Sequence, residues 1–161
     1  MPKPVFIICC EGVLQDKTTN NLSIFKVLEK VIVKKGITVD PASPMARPYA
    51  AGSGYPGFEG VAVWRKEAQD VGKTFFHKFH IEHPDAVAVV EEQTFQFTEA
   101  GELSRFILVL SGIPIPEKSG VVLVKSQVRE DGSTEWNSQD YPIFFDIIDK
   151  PSETVGESTQ P

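Results

Sequence analysis

The ten residues TFFHKFHIEH, from Thr74 to His83, decide the fold class. The odd-numbered positions of this stretch carry aromatic or branched side chains, at Phe75, His77, Phe79 and Ile81. The even-numbered positions 78, 80 and 82 carry the polar side chains of Lys78, His80 and Glu82. Because successive side chains of a β-strand point to opposite faces, this alternation predicts a strand with one buried face. Pro84-Asp85 then predicts a turn, and residues 87–97 the returning strand.

Strand chemistry continues on both sides of this stretch. Val, Ile, Phe and Thr are frequent, and apolar residues at helical spacing are scarce. Asp131-Gly132 is the strongest hairpin signal in the chain. We therefore expect an all-β fold, an antiparallel β-sandwich of about eight strands. The other predicted strands cover residues 5–10, 22–33, 61–68, 106–110, 121–128 and 143–148.

Two of these strands have unusual patterns. Residues 5–10, VFIICC, form a continuous apolar run, as in a strand that is buried on both faces. Within residues 22–33 the apolar side chains do not keep to every second position. Some lie at even-numbered and others at odd-numbered positions, so the alternation changes parity. A bulge in one long strand would produce that change. The alternative is a short helix over residues 28–33, which the β-branched content disfavours.

The length of 161 residues suits a single domain, which we place at residues 1–149. Residues 36–60 hold four Pro and five Gly, so they are predicted to form a long loop inserted in that domain. Residues 150–161, KPSETVGESTQP, contain one Val as their only large apolar residue. They are predicted to be a disordered C-terminal tail.

Charge and cysteine content narrow the class of protein. The net charge is −6, and there is no stripe of Lys and Arg, which argues against a nucleic-acid partner. The longest apolar run, residues 5–10, is too short for a membrane span or a signal peptide. Cys9 and Cys10 are the only cysteines and, being adjacent, do not readily bond each other. These features predict a cytoplasmic protein without a membrane partner.

The N-terminal third has a recognisable order of residues. An apolar strand ends at Cys9, Glu11 follows, and after a polar turn Leu22-Ser23-Ile24-Phe25 begins the next strand. This order resembles the N-terminal signature of a small bacterial β-sandwich family that is catalogued as a domain of unknown function. Later matches are His83-Pro84-Asp85 and Ile113-Pro-Ile-Pro116 ahead of Gly120.

The resemblance covers most of residues 4–149, and its specific matches lie in the first 30 residues. Cys10 stands where the family usually has Asp, and the loop at 36–60 is longer than expected. The resemblance implies an immunoglobulin-like sandwich, and it implies no activity, substrate or cofactor.

Three motifs resemble metal or cofactor sites, but none has the surrounding sequence that such a site requires. His77, His80 and His83 share one predicted strand, where His80 faces away from the other two. Residues 52–57 read GSGYPG, a dinucleotide-type glycine pattern with no strand before it or helix after it. The acidic residues of segment 85–102 lack the spacing of a calcium loop. We therefore predict no metal and no cofactor.

Nucleophile motifs are also missing. There is no G-x-S-x-G pattern, and the serines are predicted to lie in loops with no histidine nearby. The two cysteines lack the spacing of a metal or redox pair, so we expect at least one to be a small core residue. No catalytic residue is predicted, and we expect a protein that is not an enzyme.

The 36–60 loop is the predicted functional segment, because long irregular connections in compact domains are often functional. Tyr and Arg are also enriched at binding hot spots. An alternative is that the loop aromatics pack over the open end of the sandwich. The predicted partner-binding residues are Arg47, Tyr49, Tyr55 and Phe58 of the loop, together with Trp136.

We expect a non-enzymatic module for protein interaction or assembly, acting on a protein partner or on itself. The alternatives are a structural component of a phage-like particle and a sandwich that binds a small molecule or a carbohydrate.

Overall fold

The structure is a computed structural model that describes residues 1–16, 21–34, 54–84, 86–89, 92–114 and 118–148. Within these residues the chain forms ten strands and one 3-10 turn, Ala68–Asp70. The strands are β1 (Lys3–Gln15), β2 (Leu22–Val27), β3 (Lys30–Lys34), β4 (Gly54–Arg65), β5 (Thr74–His83), β6 (Ala86–Val89), β7 (Gln93–Gln96), β8 (Leu103–Pro114), β9 (Gly120–Glu130) and β10 (Asn137–Ile148).

The strands form two sheets. Sheet A has the order β2-β1-β4-β8, and sheet B has the order β3-β10-β9-β5-β6, with β7 also pairing with β5. β3 and β10 pair in parallel, whereas the other pairs of named strands are antiparallel. The prediction of an all-β fold is confirmed, and the two sheets are consistent with a β-sandwich.

The core lies between the sheets and is rich in aromatic side chains. Phe58 and Trp64 of β4 belong to the same buried cluster as Phe75 and Phe79 of β5, which lies in the other sheet. Full burial of a large apolar side chain stabilises the fold by about 1.5–3 kcal/mol. The remaining buried members of this core include Cys9, Leu28, Val31, Ala62, Ile81, Phe97, Phe106, Leu108, Val122, Val124, Val128, Ile143 and Phe145.

The prediction of one long bulged strand over residues 22–33 is wrong. β2 belongs to sheet A and β3 to sheet B, so the chain changes sheets between them. Lys26 has a positive φ of 51° near the end of β2. The backbone N–H of Leu28 then donates to Cys9 of sheet A, and that of Phe144 in sheet B donates to Glu29. The change of parity therefore marks a change of sheet.

The predicted loop at 36–60 is also too long. Residues 54–60 belong to β4 and pair with β8, which continues the strand predicted to begin at residue 61. The rest of that loop and the predicted tail at 150–161 lie outside the described residues. The returning strand at 87–97 is divided into β6 and β7, which pair with opposite ends of β5.

Candidate functional site

The alternation of side chains along β4 shows which of its residues lie on the outer face of sheet A. Phe58, Ala62 and Trp64 point into the core, so the odd-numbered residues of this strand point outward. Val61 and Val63 are buried but do not belong to the core cluster, which agrees with a position on the outer face. The outer face of the central strand is therefore apolar at two consecutive outward positions.

Strand register extends this apolar surface across three strands. Phe6, Val63 and Arg105 form one row, and Ile8, Val61 and Ile107 form the next. Cys10, Glu59 and Val109 form the third row. We call this surface the apolar face, and its members are Phe6, Ile8, Cys10, Val61, Val63, Ile107 and Val109.

Several side chains of the apolar face are open to solvent. Phe6 is 40% exposed, Ile107 39% and Val109 70%. Glu59 and Arg105 are the charged residues of these three rows, and they lie at opposite ends. An antiparallel sheet that faces water usually alternates apolar inward residues with polar outward ones. The apolar face breaks that alternation.

Sheet B has an outer face of the usual kind over β5 and β9. The Lys125 ammonium lies 2.8 Å from a carboxylate oxygen of Glu82. This ion pair holds the pKa of the exposed Glu82 carboxyl below its usual range. Arg129 pairs with Glu92 at 3.0 Å. The exposed apolar residues of sheet B lie at its other edge, near β3, and are Ile32, Val121, Phe144 and Ile148.

A shallow groove borders the apolar face where β1 leaves β4. Pairing between these strands ends at Cys10 and Glu59. Beyond that point the Glu59 carboxylate accepts the backbone N–H of Val13 at 2.8 Å, which replaces the lost strand partner. Lys26 and Glu11 form an ion pair at 2.8 Å beside it. The groove is lined by Glu11, Gly12, Val13, Leu14, Phe25, Lys26 and Glu59.

A buried polar link joins the two sheets. The Trp64 indole N–H of sheet A donates to the Ser126 hydroxyl oxygen of sheet B at 2.9 Å. The His77 ring nitrogen Nε2 lies 2.9 Å from the same oxygen. The His77 ring also stacks on Phe106, with 3.7 Å between ring centroids. The expectation that no serine lies near a histidine is therefore wrong.

This Ser126–His77 contact has the spacing of a nucleophile and its base, and its surroundings exclude that role. Both side chains have no exposed surface, so no substrate reaches the hydroxyl. Burial lowers the pKa of His77 to about 3, which keeps the ring neutral and poorly basic. The arrangement can satisfy hydrogen bonds inside the core, as buried polar groups require.

The two cysteines point to opposite faces of β1, and both are buried. Cys9 belongs to the core, and Cys10 lies on the apolar face. Burial raises the pKa of the Cys9 thiol to about 12. Burial also raises the pKa of the Cys10 thiol, which lies 3.4 Å from the Gly12 carbonyl oxygen. Neither environment produces the thiolate that cysteine chemistry needs.

Of the predicted partner-binding side chains, the structure describes those of Phe58 and Trp136. Arg47 and Tyr49 lie outside the described residues, and of Tyr55 only the backbone, in β4, is described. Phe58 is 1% exposed and belongs to the core, not to a loop surface. Trp136 lies beside sheet B, where the Lys78 ammonium is 3.9 Å from its ring centroid. The Lys78 contact covers part of this ring and leaves it half-buried.

The apolar face was not predicted as a site, although the sequence carries its signal. The run VFIICC indicated a strand that is apolar on both faces, and residues 61–63 of β4 continue that pattern. Such runs predict burial on two sides. Recognising the face also required the register, which brings β1, β4 and β8 side by side.

No metal-binding group of three or more His, Cys, Asp or Glu residues occurs among the described residues. His77 points into the core, whereas His80 lies on the outer face of β5, 3.8 Å from Glu82. No helix in the described ranges is long and apolar enough to cross a membrane. Comparisons of the chain with protein-family models, with curated proteins and with solved structures gave no match.

Proposed function

We propose that this protein is a non-enzymatic module for protein assembly and that the apolar face of sheet A is its docking surface. The proposal rests on one observation, that strand register aligns apolar side chains in rows across that face. Three adjacent strands present apolar side chains outward, and Val109 at one margin is 70% exposed. Exposed apolar side chains that are grouped on one face, as Phe6, Ile107 and Val109 are, are typical of interaction sites.

The polar groups of the described residues support a docking role over catalysis. The Ser126–His77 pair is buried, and burial raises the pKa of both thiols. The charged groups of sheet B engage each other or nearby aromatic rings, as at Lys125–Glu82 and Lys78–Trp136. These contacts are those of a stable, solvated surface.

The strand order supports an immunoglobulin-like arrangement as part of this proposal. β1, β4 and β8 occupy one sheet as strands A, B and E do in that fold. β5, β9 and β10 occupy the other sheet in the order of strands C, F and G. Sandwiches of this architecture commonly serve as binding modules, although fold alone does not determine function.

Two matched substitutions test the docking surface. Phe6→Lys places a charge on the apolar face, and Phe144→Lys places the same charge on the outer face of sheet B. The two phenylalanines are similarly exposed, at 40% and 50%. We expect the wild-type chain to associate with rising concentration and to bind an apolar dye when dilute. Phe6→Lys should reduce both, and Phe144→Lys should leave the association unchanged.

The measurements are sedimentation velocity across a concentration series and dye fluorescence, with circular dichroism as a check of folding. A wild-type chain that neither associates nor binds the dye would overturn the proposal. Equal effects of the two substitutions on association would overturn it as well, because the apolar face would then have no special role.

A further inference from the structure

Among the described residues, no strand bonds to the backbone groups on the outer edge of β8. The backbone N–H of Lys66 donates to Glu102 at 3.0 Å, one step beyond the pair Arg65–Leu103. Hydrogen-bonded and non-hydrogen-bonded pairs alternate along an antiparallel ladder. The even-numbered residues of β8 therefore bond to β4. The backbone N–H and C=O groups of Arg105, Ile107 and Val109 point away from sheet A.

The other sheet edges carry features that prevent further strand pairing. β2 contains Lys26 in a left-handed conformation, with φ of 51°. β3 is a five-residue strand with a lysine at each end. β6 and β7, which form the remaining edge, are strands of four residues each. Short length, lysine and irregular backbone are the usual protections of an exposed edge.

β8 has none of these protections. It runs for twelve residues, and its pairing with β4 shows no shift of register. Arg105 is its one charged residue, and Pro114 lies at its last position. In the part of the chain that the structure describes, no strand pairs with its outer edge. A long apolar edge of this kind favours the addition of another strand.

We propose that β8 pairs with β8 of a second copy of this chain, antiparallel, with Ile107 opposite Ile107 of the second copy. This inference rests on the proposed function and names the partner and the mode of assembly. The two four-stranded A sheets then form one continuous sheet, and their apolar faces join on the same side. A twofold axis passes between the two Ile107 residues, as in an isologous interface.

Charge complementarity selects this register. Arg105 shares its own row with Phe6 and Val63, neither of which is acidic. In the dimer, Arg105 lies opposite Val109 of the second copy. Glu59 of that copy is the next residue in the same row, since Glu59 pairs with Val109. Two strand spacings separate Arg105 from this Glu59 by about 10 Å between Cα atoms, which their side chains span over the small valine.

The same arrangement excludes the parallel alternative. Parallel pairing in register would place the two Arg105 side chains next to each other, and like charges on neighbouring strands destabilise a sheet. In the antiparallel register the odd-numbered pairs 105–109, 107–107 and 109–105 exchange backbone hydrogen bonds. These are the groups that point away from sheet A.

Residue-resolved amide hydrogen exchange on the full chain tests the pairing directly. In dilute protein we expect slow exchange at the even-numbered amides of β8 and fast exchange at Arg105, Ile107 and Val109. At high concentration the three odd-numbered amides should become protected by at least about tenfold. Unchanged exchange at these amides, while the protein associates, would overturn the edge pairing and leave the docking role of the apolar face intact.

A substitution pair separates the edge from the face. Ile107→Pro removes an outer-edge N–H without removing a bond to β4, and Ile107→Ala keeps the N–H while trimming the side chain. We expect Ile107→Pro to abolish association and Ile107→Ala to retain most of it. Equal loss in both variants would place the contact on the side chains of the apolar face and overturn the edge pairing. Retention in both would overturn it too. Should Ile107→Pro fail to fold, the exchange pattern of the wild-type chain still decides.

Discussion

The His77 ring nitrogen lies 2.9 Å from the Ser126 hydroxyl oxygen, and both side chains are fully buried between the sheets. Trp64 donates its indole N–H to the same oxygen from the opposite sheet. One hydroxyl therefore serves two aromatic side chains. Because all three groups are removed from water, each hydrogen bond matters more than a comparable bond at the surface.

Stability should depend on pH through His77. Its pKa is about 3 in the folded protein, where burial opposes the charge, against about 6.5 for an exposed histidine. The unfolded chain therefore binds the proton first as the pH falls. This contribution to stability is complete above about pH 6.5. It is lost towards pH 3 at up to about 1.4 kcal/mol per pH unit.

Urea unfolding at a series of pH values between 7 and 4 measures this dependence. His77→Phe keeps an aromatic ring at the site and cannot titrate, so its free energy of unfolding should fall less steeply. Identical slopes for wild type and variant would show that His77 does not titrate as its burial requires.

Ser126→Ala should destabilise the fold strongly. The substitution leaves the Trp64 N–H without its acceptor and the His77 Nε2 atom without the hydroxyl that it contacts. A buried polar group that loses its partner costs about 1–3 kcal/mol. Chemical denaturation should therefore show a loss of a few kcal/mol. Ser138→Ala, at an exposed serine of β10, should change stability by less than about 0.5 kcal/mol. A comparable loss in both variants would contradict the role of the buried link.

Both thiols should be inert in the folded protein. Cys9 and Cys10 have no exposed surface, and burial raises both pKa values. Since the thiolate is the reactive species, a thiol reagent at neutral pH should label neither residue until the chain unfolds. Labelling followed by mass spectrometry, with and without denaturant, gives the count. Rapid modification of native protein would show that β1 opens at this position.

Asp70 should contribute to the stability of the 3-10 turn. Its carboxylate is buried, lies 2.9 Å from the Met1 ammonium and accepts the Glu67 backbone N–H at 2.8 Å. Asp70→Asn keeps the shape, and it removes both the charge and one acceptor. We expect a loss of about 1–3 kcal/mol in the free energy of unfolding. The exposed substitution Glu135→Gln is the matched control, and an equal effect there would refute this assignment.

The sequence predicted most of the strands because their patterns are local. The alternation in TFFHKFHIEH appears as β5, with Phe75, His77, Phe79 and Ile81 all buried. The local sequence pattern could not show that residues 22–33 divide between the two sheets. That division depends on long-range backbone hydrogen bonds to Cys9 and from Phe144. Pro and Gly content likewise suggested a loop for residues 54–60, where pairing with β8 overrides local preference.

The candidate site was harder to predict, because it is a property of register. Phe6, Val61 and Ile107 are unremarkable apolar residues in three separate segments. Only the alignment of β1, β4 and β8 turns them into one surface. Phe58 shows the converse, since its place in a Pro/Gly-rich segment suggested a surface aromatic and the parity of β4 buries it.

The parallel pairing of β3 with β10 has a consequence for how the chain folds. It joins residue 30 to residue 144, at nearly opposite ends of the described chain. Loop-closure entropy makes such distant contacts slow to form. During synthesis on the ribosome, β3 cannot pair with β10 until β10 has been synthesised. Sheet B is therefore completed late, after sheet A has all four of its strands.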